Sequence, residues 1–153
     1  MHLIDDAVLD AVTAAARLSP RLRKNHNLHP GDNSACHRFF NAIEPGSYIQ
    51  PHRHLDPEKD ETLVLIRGRL GVVSFDDSGT VTEKALLSAP GQVVDLPHGA
   101  YHSALSLQSG TIFLEIKAGP YLPFAAREKA PFAPDEGAPE VAAYLERLEE
   151  LFR

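Results

Sequence analysis

The sequence predicts a mainly β domain with one amphipathic helix at each end. Three observations predict it. Apolar residues recur at helical spacing near the N-terminus and again near the C-terminus. Between them lie short β-branched and aliphatic runs, separated by Gly, Pro and Asp. From about residue 36 to residue 117 no helical period interrupts those runs, so the strands follow one another directly and form a barrel or sandwich rather than a parallel α/β sheet.

The first helix is expected over residues 4 to 17, where Ile4, Ala7, Val8, Ala11, Val12 and Ala15 form one stripe. Asp5 and Asp6 suit its first turn, Arg17 its last, and Pro20 lies just beyond. The polar stretch Arg21-Leu22-Arg23-Lys24, continued by Asn25-His26-Asn27-Leu28-His29, reads as a solvated linker, with binding of an anionic ligand as the alternative. Strands follow at 37–43, Thr62 to Ile66, Leu70 to Phe75, Gln92 to Leu96, Ser103 to Leu107 and Thr111 to Lys117. Asp76-Asp77-Ser78-Gly79 marks a hairpin, since Asp and Gly supply the turn conformations. After Lys117 come Pro120, Pro123, Pro131, Pro134 and Pro139, the composition of an extended strap. The last helix, from about Glu140 to Phe152, carries Val141, Leu145, Leu148 and Phe152 on one face, and it either caps the barrel or packs on a partner subunit.

At 153 residues the expected organisation is a single domain, 1–153, with an N-terminal helix and linker over 1–36, a barrel over 37–118, and strap plus C-terminal helix over 119–153. A net charge of -6 argues against a nucleic-acid or anionic-membrane surface, which would concentrate Lys and Arg. No apolar run approaches a membrane span, and Cys36, the single cysteine, has no partner in the chain for a disulfide, so a cytoplasmic location is expected. Cys36 itself reads as a small buried apolar residue.

Two blocks carry the chemistry. In the first, Gly46 is followed after five residues by His52-Arg53-His54, then by Glu61 and, after six intervening residues, Gly68. In the second, Gly91 is followed after five residues by Pro97-His98-Gly99 and, two residues on, His102. Residues two apart on a strand share a face, so His52 and His54 can reach one ion. Glu61 opens the next strand and offers an oxygen; the Pro97-Gly99 turn fixes where His102 enters its strand. Three imidazoles and one carboxylate suit one divalent Mn, Fe, Co, Ni or Zn ion, and suit Ca or Mg poorly.

These two blocks resemble the paired signature motifs of the cupin superfamily, which implies a double-stranded β-helix, or jelly-roll barrel. Two departures stand out: six residues separate His54 from Glu61 where three or four are usual, and Ser106 stands where Asn often ends the second motif. Glu58 satisfies the shorter gap, but only Glu61 keeps the six-residue step to Gly68. More closely, Arg23-Lys24-Asn25-His26-Asn27, Asn41-Ala42-Ile43-Glu44-Pro45-Gly46, Pro51-His52-Arg53-His54, Asp56-Pro57-Glu58-Lys59, Arg67-Gly68-Arg69-Leu70 and Gly119-Pro120-Tyr121 resemble the WbuC-type cupin fold metalloproteins, a family often encoded with bacterial surface-polysaccharide genes and without a settled reaction. That resemblance implies a bacterial metal-binding protein linked to O-antigen or sugar-nucleotide metabolism; a homodimer is the expectation for a cupin.

The functional expectation is a small-molecule metalloenzyme, isomerase or oxygenase-like, holding its metal through His52, His54, Glu61 and His102. A sugar or small-acid binding or sensing protein is the alternative. Tyr101 and Tyr48 are the candidates for acid–base work, and Gln50, Arg53, Arg67 and Lys117 for orienting a ligand. His26, His29 and His37 are candidates for the pocket mouth.

Overall fold

The computed structural model describes residues 1–153. Its elements run α1 (Asp6–Leu18), β1 (Arg23–Asn27), β2 (Cys36–Ile43), β3 (Glu61–Arg67), β4 (Leu70–Phe75), β5 (Val81–Leu87), β6 (Val93–Leu96), β7 (Tyr101–Ser106), β8 (Thr111–Ala118) and α2 (Val141–Glu150), with one 3₁₀ turn at Ala126–Glu128. Two antiparallel sheets face each other, one of five strands in the order β1-β2-β8-β3-β6 and one of three in the order β5-β4-β7. This is the mainly β barrel with terminal helices that the sequence predicts.

Strand alternation sorts the apolar residues into three cores. Between the sheets pack Ile43, Leu63, Leu65, Leu70, Val72 and Phe113. On the outer face of the five-stranded sheet, Leu9, Val12 and Ala16 of α1 cover Phe40, Ala42 and Ile112. Outside the three-stranded sheet, Tyr144, Leu145 and Leu148 of α2 lie against Val73, Phe75, Tyr101 and Leu105, so this helix buries its stripe on its own barrel. The Asp5 carboxylate accepts from the Val8 N–H and caps α1, offsetting one of the orphan donors of its first turn. The predicted hairpin is present, with the Asp76 N–H donating to the Thr80 carbonyl at 3.0 Å.

Three expectations are corrected. Residues Arg23–Asn27 form a strand, not a linker, paired along its length with β2. They escape a period-2 reading because all five are polar: one face looks into a wet cleft and the other is only half covered by α1. His52 and His54 do not lie in a regular strand, because the pairing there is limited to two isolated bridges, from His52 to His102 and from His52 to Lys129. Cys36 is exposed at the start of β2 rather than buried. The proline-rich strap is tied to the first motif, with Ala130 N–H donating to the Pro51 carbonyl and Arg53 N–H to the Glu128 carbonyl, both within 2.9 Å.

Gly68 links β3 to β4 at φ +81°, where a side chain is strained, and an added Cβ would stand 2.7 Å from Thr111 Cα. The six-residue step from Glu61 to Gly68 therefore measures the length of β3: its first residue carries the carboxylate and its end needs a glycine.

Candidate metal centre

His52, His54, Glu61 and His102 are all buried, and one donor atom from each lies within 4.8 Å of every other, so the four could hold one metal ion. Different devices aim each of them. The segment before β3 turns His52 and His54 inward; Glu61 is the first residue of β3; His102 is the second of β7. The turn preceding β7 is pinned to the first motif, with Gly99 N–H donating to the His54 carbonyl at 2.7 Å.

The imidazoles are set by their outer nitrogens. His52 Nδ1 is 2.9 Å from the Gln50 carbonyl and His102 Nδ1 is 3.0 Å from the Ala100 carbonyl. A carbonyl only accepts, so each Nδ1 carries the proton and each Nε2 presents a lone pair. His102 Nε2 is buried and has no hydrogen-bond partner in the chain, standing 3.9 Å from Glu61 Oε2. A buried lone pair without a donor is costly, and a cation amid the four groups would satisfy it. His54 Nε2 is 2.9 Å from Glu61 Oε2. The donor set therefore fits a divalent transition metal on chemistry and on this orphaned atom.

Electrostatics favour the ligating forms. Burial pushes the His52 imidazole well below its usual range, helped by the neighbouring His102, and burial likewise lowers His102. Burial alone would raise Glu61, but the Lys117 ammonium and the hydrogen bond from His54 hold it well below the usual carboxylate range. At neutral pH His52 and His102 are thus neutral imidazoles and Glu61 an ionised carboxylate.

A chain of buried charge continues from Glu61. Lys117 Nζ is 3.2 Å from Glu61 Oε2 and 2.6 Å from Glu115 Oε1, and Asn41 Nδ2 donates to Glu115 Oε2 at 2.5 Å. Burial, with Glu61 as a like charge nearby, pushes Glu115 up to about 7, whereas the two carboxylates raise Lys117 against the effect of its own burial. Cross-strand register makes the chain possible, because Lys117 stands directly opposite Glu61 on β3 and His37 on β2.

The cluster lies in the wall of a cleft of about 920 Å³, lined by His52, Glu61 and His102 and by Gln50, Lys117, His29 and His37 among others. Of the ligand-orienting candidates, Gln50 and Lys117 line this cleft; Arg53 and Arg67 do not. Arg53 lies over the Tyr101 ring at 4.3 Å and reaches Asp77, while Arg67 pairs with Asp6 and Asp10 of α1. Tyr101 and Tyr48 both pack in the core beneath α2, and the Tyr48 hydroxyl donates to the Pro134 carbonyl. Neither reaches the cleft, for a reason strand geometry supplies: Tyr101 adjoins His102, so if one faces inward the other faces outward. Glu58 is exposed in the turn before β3, away from the cluster. Asn25 and Asn27, in the stretch whose alternative reading is ligand binding, line the cleft, and so do Asn41 and Glu115, which sequence reasoning missed; all four share strand parity with Lys117 and His37, a signal available once β1 is recognised. From the strap, the Phe124 ring lies over the site, its centroid 4.4 Å from that of His52 and 5.6 Å from that of His54.

A family model described as a domain of unknown function, DUF6016, matches residues 4–87, more than half of the chain and including His52, His54 and Glu61. The chain belongs to the DUF6016 family. No curated protein matches its sequence. Among solved structures this DUF6016 chain is similar to KdgF from a Halomonas species (18% identity, TM-score 0.53, covering 67% of this chain and 83% of that one). It is similar also to the TT1209 protein of Thermus thermophilus (23%, TM-score 0.55, 78% and 98%) and to a cupin superfamily protein from Desulfitobacterium hafniense (14%, TM-score 0.50, 63% and 76%). At these identities the likeness is one of fold, and it makes the barrel a cupin barrel. No helix of the DUF6016 chain is long and apolar enough to cross a membrane.

Proposed function

We propose that this chain is a metal-dependent enzyme acting on a small hydroxy-carbonyl or sugar-like molecule, by isomerisation or by oxygenase-like chemistry. The observation that carries it is the opening of the His52, His54, Glu61, His102 group onto a cleft large enough for such a ligand. A divalent ion there supplies Lewis-acid polarisation of a bound oxygen. The chain's own residues do the rest: Gln50 offers a carboxamide at the cleft, Lys117 holds Glu61 ionised and turned inward, and Phe124 screens the imidazoles from bulk water. The resemblance to WbuC-type cupins supports a place in bacterial surface-polysaccharide or sugar-nucleotide metabolism; the single cysteine supports a cytoplasmic location, and the cupin resemblance a homodimer.

One observation favours a second reading, a sugar or small-acid binding or sensing protein. The candidate tyrosines Tyr101 and Tyr48 lie outside the cleft, and Lys117 and Glu115 are tied to each other, so none of these four groups is free for acid–base work beside the metal group. Incubating the metal-loaded chain with aldoses and hydroxy acids, followed by NMR with and without a chelator, separates the two. Product formed only with metal supports the enzyme. Saturable binding with no product over long incubation sinks it in favour of the binder.

A further inference from the structure

We propose that the wall formed by β1 and β2 is a hydroxyl-recognition subsite, and that the cleft takes an open-chain polyhydroxylated carboxylate whose acid end lies at the metal group. This deepens the metal-centre reading above and rests on it.

Register and alternation place the subsite. Arg23, Asn25 and Asn27 occupy alternate positions of β1 and line the cleft; Asn25 stands opposite Asn41 and Asn27 opposite Phe39. Further along the same rows the inner face is apolar where it is fully enclosed, with Asn41 followed by Phe113 and Leu65. The carboxamides are therefore not part of a general polarity of the barrel. Asn25 and Asn27 are exposed in the cleft wall and neither side chain bonds to the chain, while Asn41 uses its amide on Glu115. Each carboxamide offers two donors and an acceptor, which matches hydroxyl groups that both donate and accept.

The charges select the class further. Glu136 accepts from both Arg21 and Arg23, and Lys129 lies 3.8 Å from Asp135, so the guanidiniums of the mouth are already paired and Lys24 is its one cation without a carboxylate partner. A phosphate dianion would find no free guanidinium there. At the base, one divalent ion and the Lys117 ammonium stand against the carboxylates of Glu61 and Glu115. The cations outweigh the carboxylates there, so the base favours an anionic group such as a ligand carboxylate.

The test uses the full chain loaded with Co(II), titrated with D-gluconate and with glycolate, which shares the hydroxy-carboxylate end but lacks the polyol. Calorimetry and the cobalt absorption bands report binding. D-gluconate is expected to bind at least about tenfold tighter than glycolate, the worth of two ordinary hydrogen bonds. Asn25→Ala with Asn27→Ala, both exposed positions of an edge strand, should bring D-gluconate to the level of glycolate while leaving glycolate affinity and the cobalt bands unchanged. Equal binding of the two acids to the unaltered chain, or of neither, overturns the subsite even if the variant misfolds; so does a variant that weakens both alike. Failure to take up cobalt sinks the metal-centre reading itself, and the subsite with it.

Discussion

His52 and His102 exchange a reciprocal pair of backbone hydrogen bonds, the His52 N–H to the His102 carbonyl at 3.1 Å and the His102 N–H to the His52 carbonyl at 2.9 Å. Residues paired in this way lie directly opposite and point to the same side, which brings their ring centroids to 4.6 Å. A slip of one residue would send one imidazole outward and dismantle the site. Two motifs far apart in the chain are thus registered by main-chain bonds, and the ligand set inherits the precision of the barrel.

Lys117 is the cation that lets two buried carboxylates coexist. Replacing it by Met leaves Glu61 and Glu115 unpaired, and the metal-free variant should lose about 3 kcal/mol in urea unfolding, the usual cost of breaking a buried pair from one side. Metal should recover part of that loss by neutralising Glu61. A loss of less than about 1 kcal/mol, or none recovered on metal addition, contradicts this role.

Acid should destabilise the metal-free chain from about pH 6.5 downward. His52 and His102 sit below their usual range when folded, so the unfolded chain binds more protons there and stability falls as pH falls. Glu115, pushed up to about 7, acts with the opposite sign, because the folded chain takes up its proton first. Two imidazoles outweigh one carboxyl, and Glu115→Gln should steepen the loss. Urea midpoints compared at about pH 7.5 and about pH 5.5 check this; a midpoint that rises on acidification contradicts it.

Phe124 covers the imidazoles without bonding to them. Phe124→Ala should leave the unfolding midpoint nearly unchanged, because the ring is itself 43% exposed, yet speed metal removal by a chelator several-fold. Equal removal rates in the two proteins would mean that the strap does not guard the site.

Gly68→Ala places a side chain at φ +81° against the Thr111 backbone. The expected cost is at least about 1–2 kcal/mol from the backbone conformation alone, with the steric clash added to it. A thermal midpoint equal to that of the parent would contradict this reading of the β3 to β4 turn.

The sequence made the centre legible and its surroundings less so, for one physical reason. His52, His54, Glu61, Gly68, Gly99 and His102 depend on local spacing and turn conformation, which a sequence displays directly. The cleft walls depend on which strand lies beside which. Arg23–Asn27 lacks the apolar alternation that marks a strand, since neither of its faces is fully buried, so its place at the edge of the sheet follows only from pairing with β2. Tyr101 and Arg53, expected in the site, lie outside it, stacked on each other on the side away from the inward histidines that each adjoins. Glu115 required the register that sets it on the same face of β8 as Lys117, two residues along from the Glu61–Lys117 pair.

The most direct test of the metal centre is the metal content of the chain purified without added metal or chelator, beside that of His102→Ala. His102 Nε2 is the orphaned atom, so its loss should remove the metal and leave the barrel, as judged by circular dichroism. About one transition-metal ion per chain is expected in the parent and almost none in a folded variant. A parent that binds none when offered Mn, Fe, Co, Ni or Zn, or a variant that keeps its full complement, would contradict the assignment of these four residues as its ligands.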